Sequence, residues 1–210
     1  MGALGRRTLW RTVLALTGGV RVTGRPTSGP CVIVANHSSH ADTAALLAAI
    51  PARRRPAVAA AADYWFTRPG RRLLCRATCA AFPVRRGGRG SADLAAAARL
   101  LAAGRDVVVF PEGSRSRDGR PGPFHTGAVR LARDAGVAVV PVRIEGTGRL
   151  LPVHGRPHRS RVRVCFEPPV DTAGPEDAVP ALTRKIQRMV AAADTDKDKS
   201  TIPPFHGSCA

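Results

Sequence analysis

Apolar residues in this chain fall into short runs with two different spacings. Residues 31–35, 106–110 and 137–144 are nearly continuous in Val, Ile and Ala, the pattern of strands buried on both faces. Residues 57–62 and 82–84 read as further strands, and 161–167 alternates with Val162, Val164 and Phe166 on one face. Between these runs lie helical stretches at 43–50, 68–80, 91–103 and 125–135. Ser91 caps one of them with Asp93 in its first turn, and Gly104 and Gly136 follow two of the ends. Pro180 opens a last helix with Leu182, Ile186 and Met189 on one stripe. Strands alternating with helices predict one α/β domain at 22–193, a largely parallel mixed sheet flanked by helices on both faces.

Two flanking segments stand apart. Residues 1–21 hold Leu9, Trp10, Val13, Leu14 and Leu16 beside Arg6, Arg7 and Arg11, and read as an amphipathic helix at a membrane interface; packing on the protein's own sheet is the alternative. No Ala-x-Ala cleavage site follows it. Residues 194–210 carry charge, Pro and Gly with little to bury, and are expected to be a disordered tail.

Charge narrows the partners. The chain of 210 residues has a formal net charge of +18, and all but Lys185, Lys197 and Lys199 of its 33 basic residues are arginine. Such a surface attracts anionic lipid, phosphates and acidic carrier proteins. No aromatic-lined basic groove, zinc-finger spacing or recognition-helix pattern accompanies it, so a specific nucleic-acid partner ranks below a membrane surface. No run approaches the roughly 20 apolar residues that span a bilayer. The five cysteines lack metal-site spacing, and Cys75 and Cys79 suit one helical face rather than a redox pair, so neither a metal nor a cysteine nucleophile is expected. Gly87-Gly88-Arg89-Gly90 lacks the ending of a nucleotide loop and reads as a turn.

The candidate chemistry sits where the strand at 31–35 gives way to a helix, in Asn36-His37-Ser38-Ser39-His40-Ala41-Asp42. On a continuous helix His37 and Asp42 would stand roughly 140° apart. If Ser38 or Ser39 caps the helix, His37 lies outside it and Asp42 falls in the first turn, where the carboxylate is favoured and the imidazole folds back onto it. Such a pair makes a general base. The same spacing also serves a plain cap and a carboxylate that only stabilises the helix start.

Asn-His, four residues and Asp resembles the first signature of the glycerolipid acyltransferases, the 1-acylglycerol-3-phosphate acyltransferase family. Phe110-Pro111-Glu112-Gly113-Ser114-Arg115-Ser116 resembles a second signature, Phe82-Pro83-Val84-Arg85-Arg86 an intermediate block, and Val139-Val140-Pro141-Val142 the last. The four blocks keep the family's order over about residues 30–150. The resemblance implies that a fatty acyl group moves from acyl-CoA or acyl carrier protein, as co-substrate, to a lysophospholipid hydroxyl, with 1-acylglycerol-3-phosphate giving phosphatidate. It implies His37 as base, Asp42 as its support, and no acyl-enzyme and no cofactor. It also implies Glu112, Gly113, Ser114, Arg115 and Arg86 around the acceptor, the arginines on its phosphate. Ser114 stands where Thr is common, and His125 stands where a Lys is usual, which opens the door to another acceptor such as an amino-acid lipid or glycolipid. A non-catalytic basic protein binding membrane or nucleic acid is the rival from another class. The expected location is cytoplasmic, peripheral on the inner face of the cell membrane.

Overall fold

A computed structural model describes residues 1–85, 91–116 and 121–191. Arg86, the turn at 87–90 and the expected tail at 194–210 lie outside the described residues. In chain order the elements are α1 (Ala3–Thr17), β1 (Val20–Thr23), β2 (Val32–Ala35), α2 (Ala41–Ala49), β3 (Ala57–Ala61), α3 (Ala62–Trp65), α4 (Pro69–Cys79), β4 (Ala81–Val84), α5 (Ser91–Ala102), β5 (Val107–Val109), α6 (Gly127–Asp134), β6 (Val139–Glu145), α7 (Thr147–Leu150), β7 (Val162–Phe166) and α8 (Val179–Ala191).

Every residue of β2 is buried, which places it at the centre of a sheet covered on both faces. Among the described residues seven strands form one sheet in the order β1-β7-β6-β2-β5-β3-β4. β6, β2, β5, β3 and β4 pair in parallel, whereas β7 pairs antiparallel with β6 and parallel with β1. The pleat sends alternate side chains of β2 into two cores. Ile33 and Ala35 join Leu14 of α1 and Leu46 of α2. Val32 and Val34 join Leu101 of α5, Val129 of α6 and Ile186 of α8. The result is a mixed, mostly parallel sheet between two helical layers.

At the amino ends of β2 and β5 a buried ion pair holds the sheet together. The Arg54 guanidinium donates to both oxygens of Asp106 at 2.7 and 2.6 Å, and one of those oxygens accepts the Cys31 N–H at 3.2 Å. Arg54 also donates to the carbonyls of Thr27 and Ser28 at 2.8 and 3.0 Å. Burial, reinforced by the neighbouring Asp106 charge, pushes the Cys31 thiol up to about 12, so it stays protonated.

Some boundaries differ from the sequence expectations. α2 starts at Ala41, two residues before the expected helix, and β1 occupies part of a stretch read as helix and turn. The alanine run at 57–62 divides into β3 and the short helix α3. Leu14 of α1 is buried in the core and the Trp10 indole N–H donates to the Thr78 carbonyl on α4 at 2.9 Å, while Leu4, Leu9 and Leu16 are exposed. No helix among the described residues is long and apolar enough to cross a membrane.

Candidate active site

In open α/β sheets ligands collect at the carboxyl ends of the parallel strands. β2 ends there at Asn36, whose side-chain amide donates to the Ile144 carbonyl at 2.9 Å and accepts the Ile144 N–H at 2.8 Å. That bridge to β6 fixes where the chain leaves the sheet. The next four residues turn before α2, so His37 stands outside the helix and Asp42 in its first turn.

A fully buried Asp42 carboxylate organises this turn. Its Oδ2 lies 2.9 Å from Nδ1 of His37 and accepts the N–H groups of Ser38 and Ser39 at 2.7 and 2.8 Å. Asp42 thereby ties down the turn ahead of the helix, while the first helical donors are met by Ser39: its hydroxyl accepts the Ala41 N–H at 3.0 Å and donates to the Leu151 carbonyl at 2.7 Å, and its carbonyl accepts the Asp42 N–H at 3.1 Å. A proton on Nδ1 satisfies the carboxylate and leaves Nε2 as the basic nitrogen. The His37 ring stacks on Phe110 with centroids 4.2 Å apart.

The second motif arrives from β5, the neighbour of β2. One Glu112 oxygen accepts the His37 N–H at 2.7 Å and the other the Gly122 N–H at 2.8 Å. The His37 carbonyl accepts the Ser116 N–H at 2.8 Å. Glu112 was expected around the acceptor. Each of its oxygens accepts one backbone donor, so Glu112 holds the His37 backbone in place, and each oxygen has a second lone pair with which to accept a hydroxyl. Burial pushes the Glu112 carboxyl above its ordinary range, against the pull of those two N–H donors. Gly113 has φ 69°, the left-handed conformation that turns the loop back under His125.

His37, Gly113, Ser114 and Arg115 line one cavity of about 930 Å³. Its apolar walls include Trp10 and Val13 of α1, Ala59 of β3, and Leu74 and Cys75 of α4. The structure thus gathers His37, Asp42, Glu112, Gly113, Ser114 and Arg115 at one place, and Arg86 lies outside the described residues. The arrangement supplies an oriented imidazole and a guanidinium on the wall of one apolar chamber.

Sequence reasoning passed over His40. Its ring lies on the cavity wall, edge-on to Trp65 at 5.5 Å and stacked with Tyr64 at 6.3 Å. Burial, then the charges of Arg115 and His37, hold its imidazole below the usual histidine range, and Asp42 opposes them. The clue available in the sequence was position: three residues past His37, inside the same turn. Among the described residues no cluster of three or more His, Cys, Asp or Glu side chains could hold a metal.

Residues 19–145 match the family described as Acyltransferase. A 1-acyl-sn-glycerol-3-phosphate acyltransferase alpha of Bos taurus is 34% identical over 182 residues, covering 82% of this chain and 62% of that protein. A chloroplastic 1-acyl-sn-glycerol-3-phosphate acyltransferase of Arabidopsis thaliana is 45% identical over 73 residues, 34% of this chain and 20% of that one. The chain therefore spans less than two thirds of these curated relatives. The crystal structure of the 1-acyl-sn-glycerophosphate acyltransferase of Thermotoga maritima superposes with a TM-score of 0.74 at 26% identity, covering 90% of this chain and 76% of that one.

Proposed function

The chain belongs to the acyltransferase family, and on that premise we propose that it moves a fatty acyl group from a thioester to the hydroxyl of a lysophospholipid, with 1-acylglycerol-3-phosphate as acceptor. The observation that carries this reading is the 2.9 Å contact between His37 Nδ1 and Asp42 Oδ2, which leaves Nε2 on the wall of the apolar cavity. Nε2 takes the proton of the acceptor hydroxyl as its oxygen attacks the thioester carbonyl. The Asp42 carboxylate stabilises the imidazolium so formed. Collapse of the tetrahedral intermediate breaks the carbon–sulfur bond, and the imidazolium returns the proton to the departing thiolate. The oxygen ester and the free thiol are the products, with no acyl-enzyme between.

Arg115 is the matching cation for the acceptor's phosphate, since a planar guanidinium offers paired donors to phosphate oxygens. The apolar chamber receives the acyl chain. Both substrates are membrane-derived or chain-bearing, so we further propose a peripheral position on the cytoplasmic face of a membrane. The exposed leucines of α1 and α4 and the arginine-rich surface support it.

The test is turnover of acyl-CoA with lysophosphatidate by the full chain and by His37→Ala. We expect kcat to fall by about 10²–10⁴-fold, the span of a positioned general base, with circular dichroism and vesicle binding retained. Turnover equal to that of the parent protein would remove His37 from the mechanism.

A further inference from the structure

The connection from β6 to β7, residues 146–161, leaves the sheet at the edge where the His37 turn stands, because Asn36 ties β2 to Ile144 just before it. It carries Arg149, His154, Arg156, His158, Arg159 and Arg161 and no acidic residue. All six of these side chains are exposed. The nearest acid in sequence, Glu145, is already taken by Arg163 at 2.7 Å and Arg143 at 3.4 Å. Among the described residues the guanidinium groups of Arg149, Arg156 and Arg161 meet no carboxylate.

A cationic stretch of this kind is ordinarily only a solvated face. Two features set this one apart. Part of it, Pro157, His158 and Arg159, lines the same cavity as His37. It is also held in place rather than loose. The Ser160 N–H donates to the Thr17 carbonyl at 3.0 Å and the Arg159 guanidinium to the Leu16 carbonyl at 2.9 Å, both on α1. The Leu151 carbonyl accepts the Ser39 hydroxyl at 2.7 Å, next to the catalytic turn. Gly146 lets the backbone pass against the Arg161 carbonyl, where any Cβ would collide. Side chains on a backbone held in place lose less freedom on binding an anion than those on a mobile loop.

We propose that this connection binds the phosphate groups of the acyl donor when the donor is a coenzyme A thioester. The nucleotide lies on Arg149, Arg156 and Arg161, and the pantetheine arm passes His158 into the cavity towards His37. Arginine forks suit a compact polyphosphate. An acidic carrier protein would need roughly 20–30 residues of contact surface, more than this connection presents. A bilayer would want several apolar side chains, whereas this connection exposes one large one, Leu151, against five leucines on α1 and α4. The identity of the ligand rests on the acyl-transfer reading, but the existence of the site does not.

Calorimetric titration of the full chain with coenzyme A, 3′-dephospho-coenzyme A and pantetheine tests both parts, using the parent protein and the double variant R149Q/R156Q. These two side chains make no ion pair among the described residues, so the variant's thermal unfolding should match the parent's. Coenzyme A affinity should fall about tenfold or more in the variant, the loss expected for charge-assisted contacts. The dephospho form should bind the parent more weakly than coenzyme A does, and pantetheine should not distinguish the two proteins. Equal coenzyme A affinity in both proteins, or no binding at all, overturns the proposal. So does an acyl carrier protein that binds, and loses affinity in the variant, where coenzyme A does not bind. Coenzyme A binding that depends on these arginines, in a protein that transfers no acyl group to any lysolipid, would keep the site and reject the proposed function.

Discussion

At the residue scale, Asp42 is unevenly engaged: Oδ2 takes the imidazole and two backbone N–H groups, whereas Oδ1 is buried without a partner among the described residues. Three contacts gathered on the oxygen that faces His37 hold the carboxylate in the orientation that the proposed stabilisation of an imidazolium needs. Asp42→Asn keeps the shape and one acceptor oxygen but loses the charge. Its kcat should drop by about 10²–10⁴-fold with a much smaller change in either KM, and steady-state kinetics on both substrates will show whether it does. His40 answers to pH. Its ring is half-buried near the charges of Arg115 and His37, with Asp42 as the opposing charge, so its pKa is held below the usual value of 6.5. A depressed pKa means that the unfolded chain takes the proton first. Stability is therefore complete above pH 6.5 and is lost as pH falls through the folded-state value. His40→Asn should flatten the decline of Tm below pH 6.5, as read by melts across a pH series; an unchanged slope would mean that His40 is not held neutral. The His37–Asp42 spacing was legible in the sequence because both residues lie in one turn. The hold of Glu112 on the His37 backbone was not legible, because the two residues are 75 positions apart.

Elements carry the positions of these side chains, and the ladder between β2 and β5 is what brings Phe110 under His37 and Glu112 to its backbone. The far end of that ladder is fixed by Arg54 and Asp106, both buried. Breaking a buried pair by removing one charge leaves the other unpaired, at a cost of about 3–5 kcal/mol. Asp106→Asn should thus lower unfolding free energy by an amount of that order in a denaturant titration, and a loss below about 1 kcal/mol would show the pair to be dispensable. The central strands were readable because burial on both faces leaves an unbroken apolar run. β1 was not, since its four residues are only half-buried and gain their strand character by pairing with β7. Nor do the alanines of β3 favour a strand by themselves; pairing with β5 and β4 imposes it. The partnership of Arg54 and Asp106 leaves no local signature, because one closes a turn and the other precedes a strand.

For the whole molecule, the net charge of +18 and the placement of exposed leucines act together. Leu73, 72% exposed, and Leu74 project from α4, and Leu4, Leu9 and Leu16 from α1. The two helices touch through Trp10 and Thr78, and Trp10 and Leu74 also line the cavity. An acyl chain leaving a bilayer beside Trp10 and Leu74 would, on the proposed function, meet the wall of the chamber directly. Arginine near an anionic lipid surface contributes about 1 kcal/mol each, and burial of one leucine about 1.5–3 kcal/mol, so charge and insertion are separable by experiment. Sedimentation with vesicles containing phosphatidylglycerol should exceed that with pure phosphatidylcholine and weaken as salt rises. Leu73→Glu should reduce binding by about tenfold or more at low salt, because it removes an inserted side chain and adds a charge of the membrane's own sign. Equal binding to neutral and anionic vesicles would remove the electrostatic contribution, and a Leu73→Glu protein that sediments like the parent would move the contact to another face.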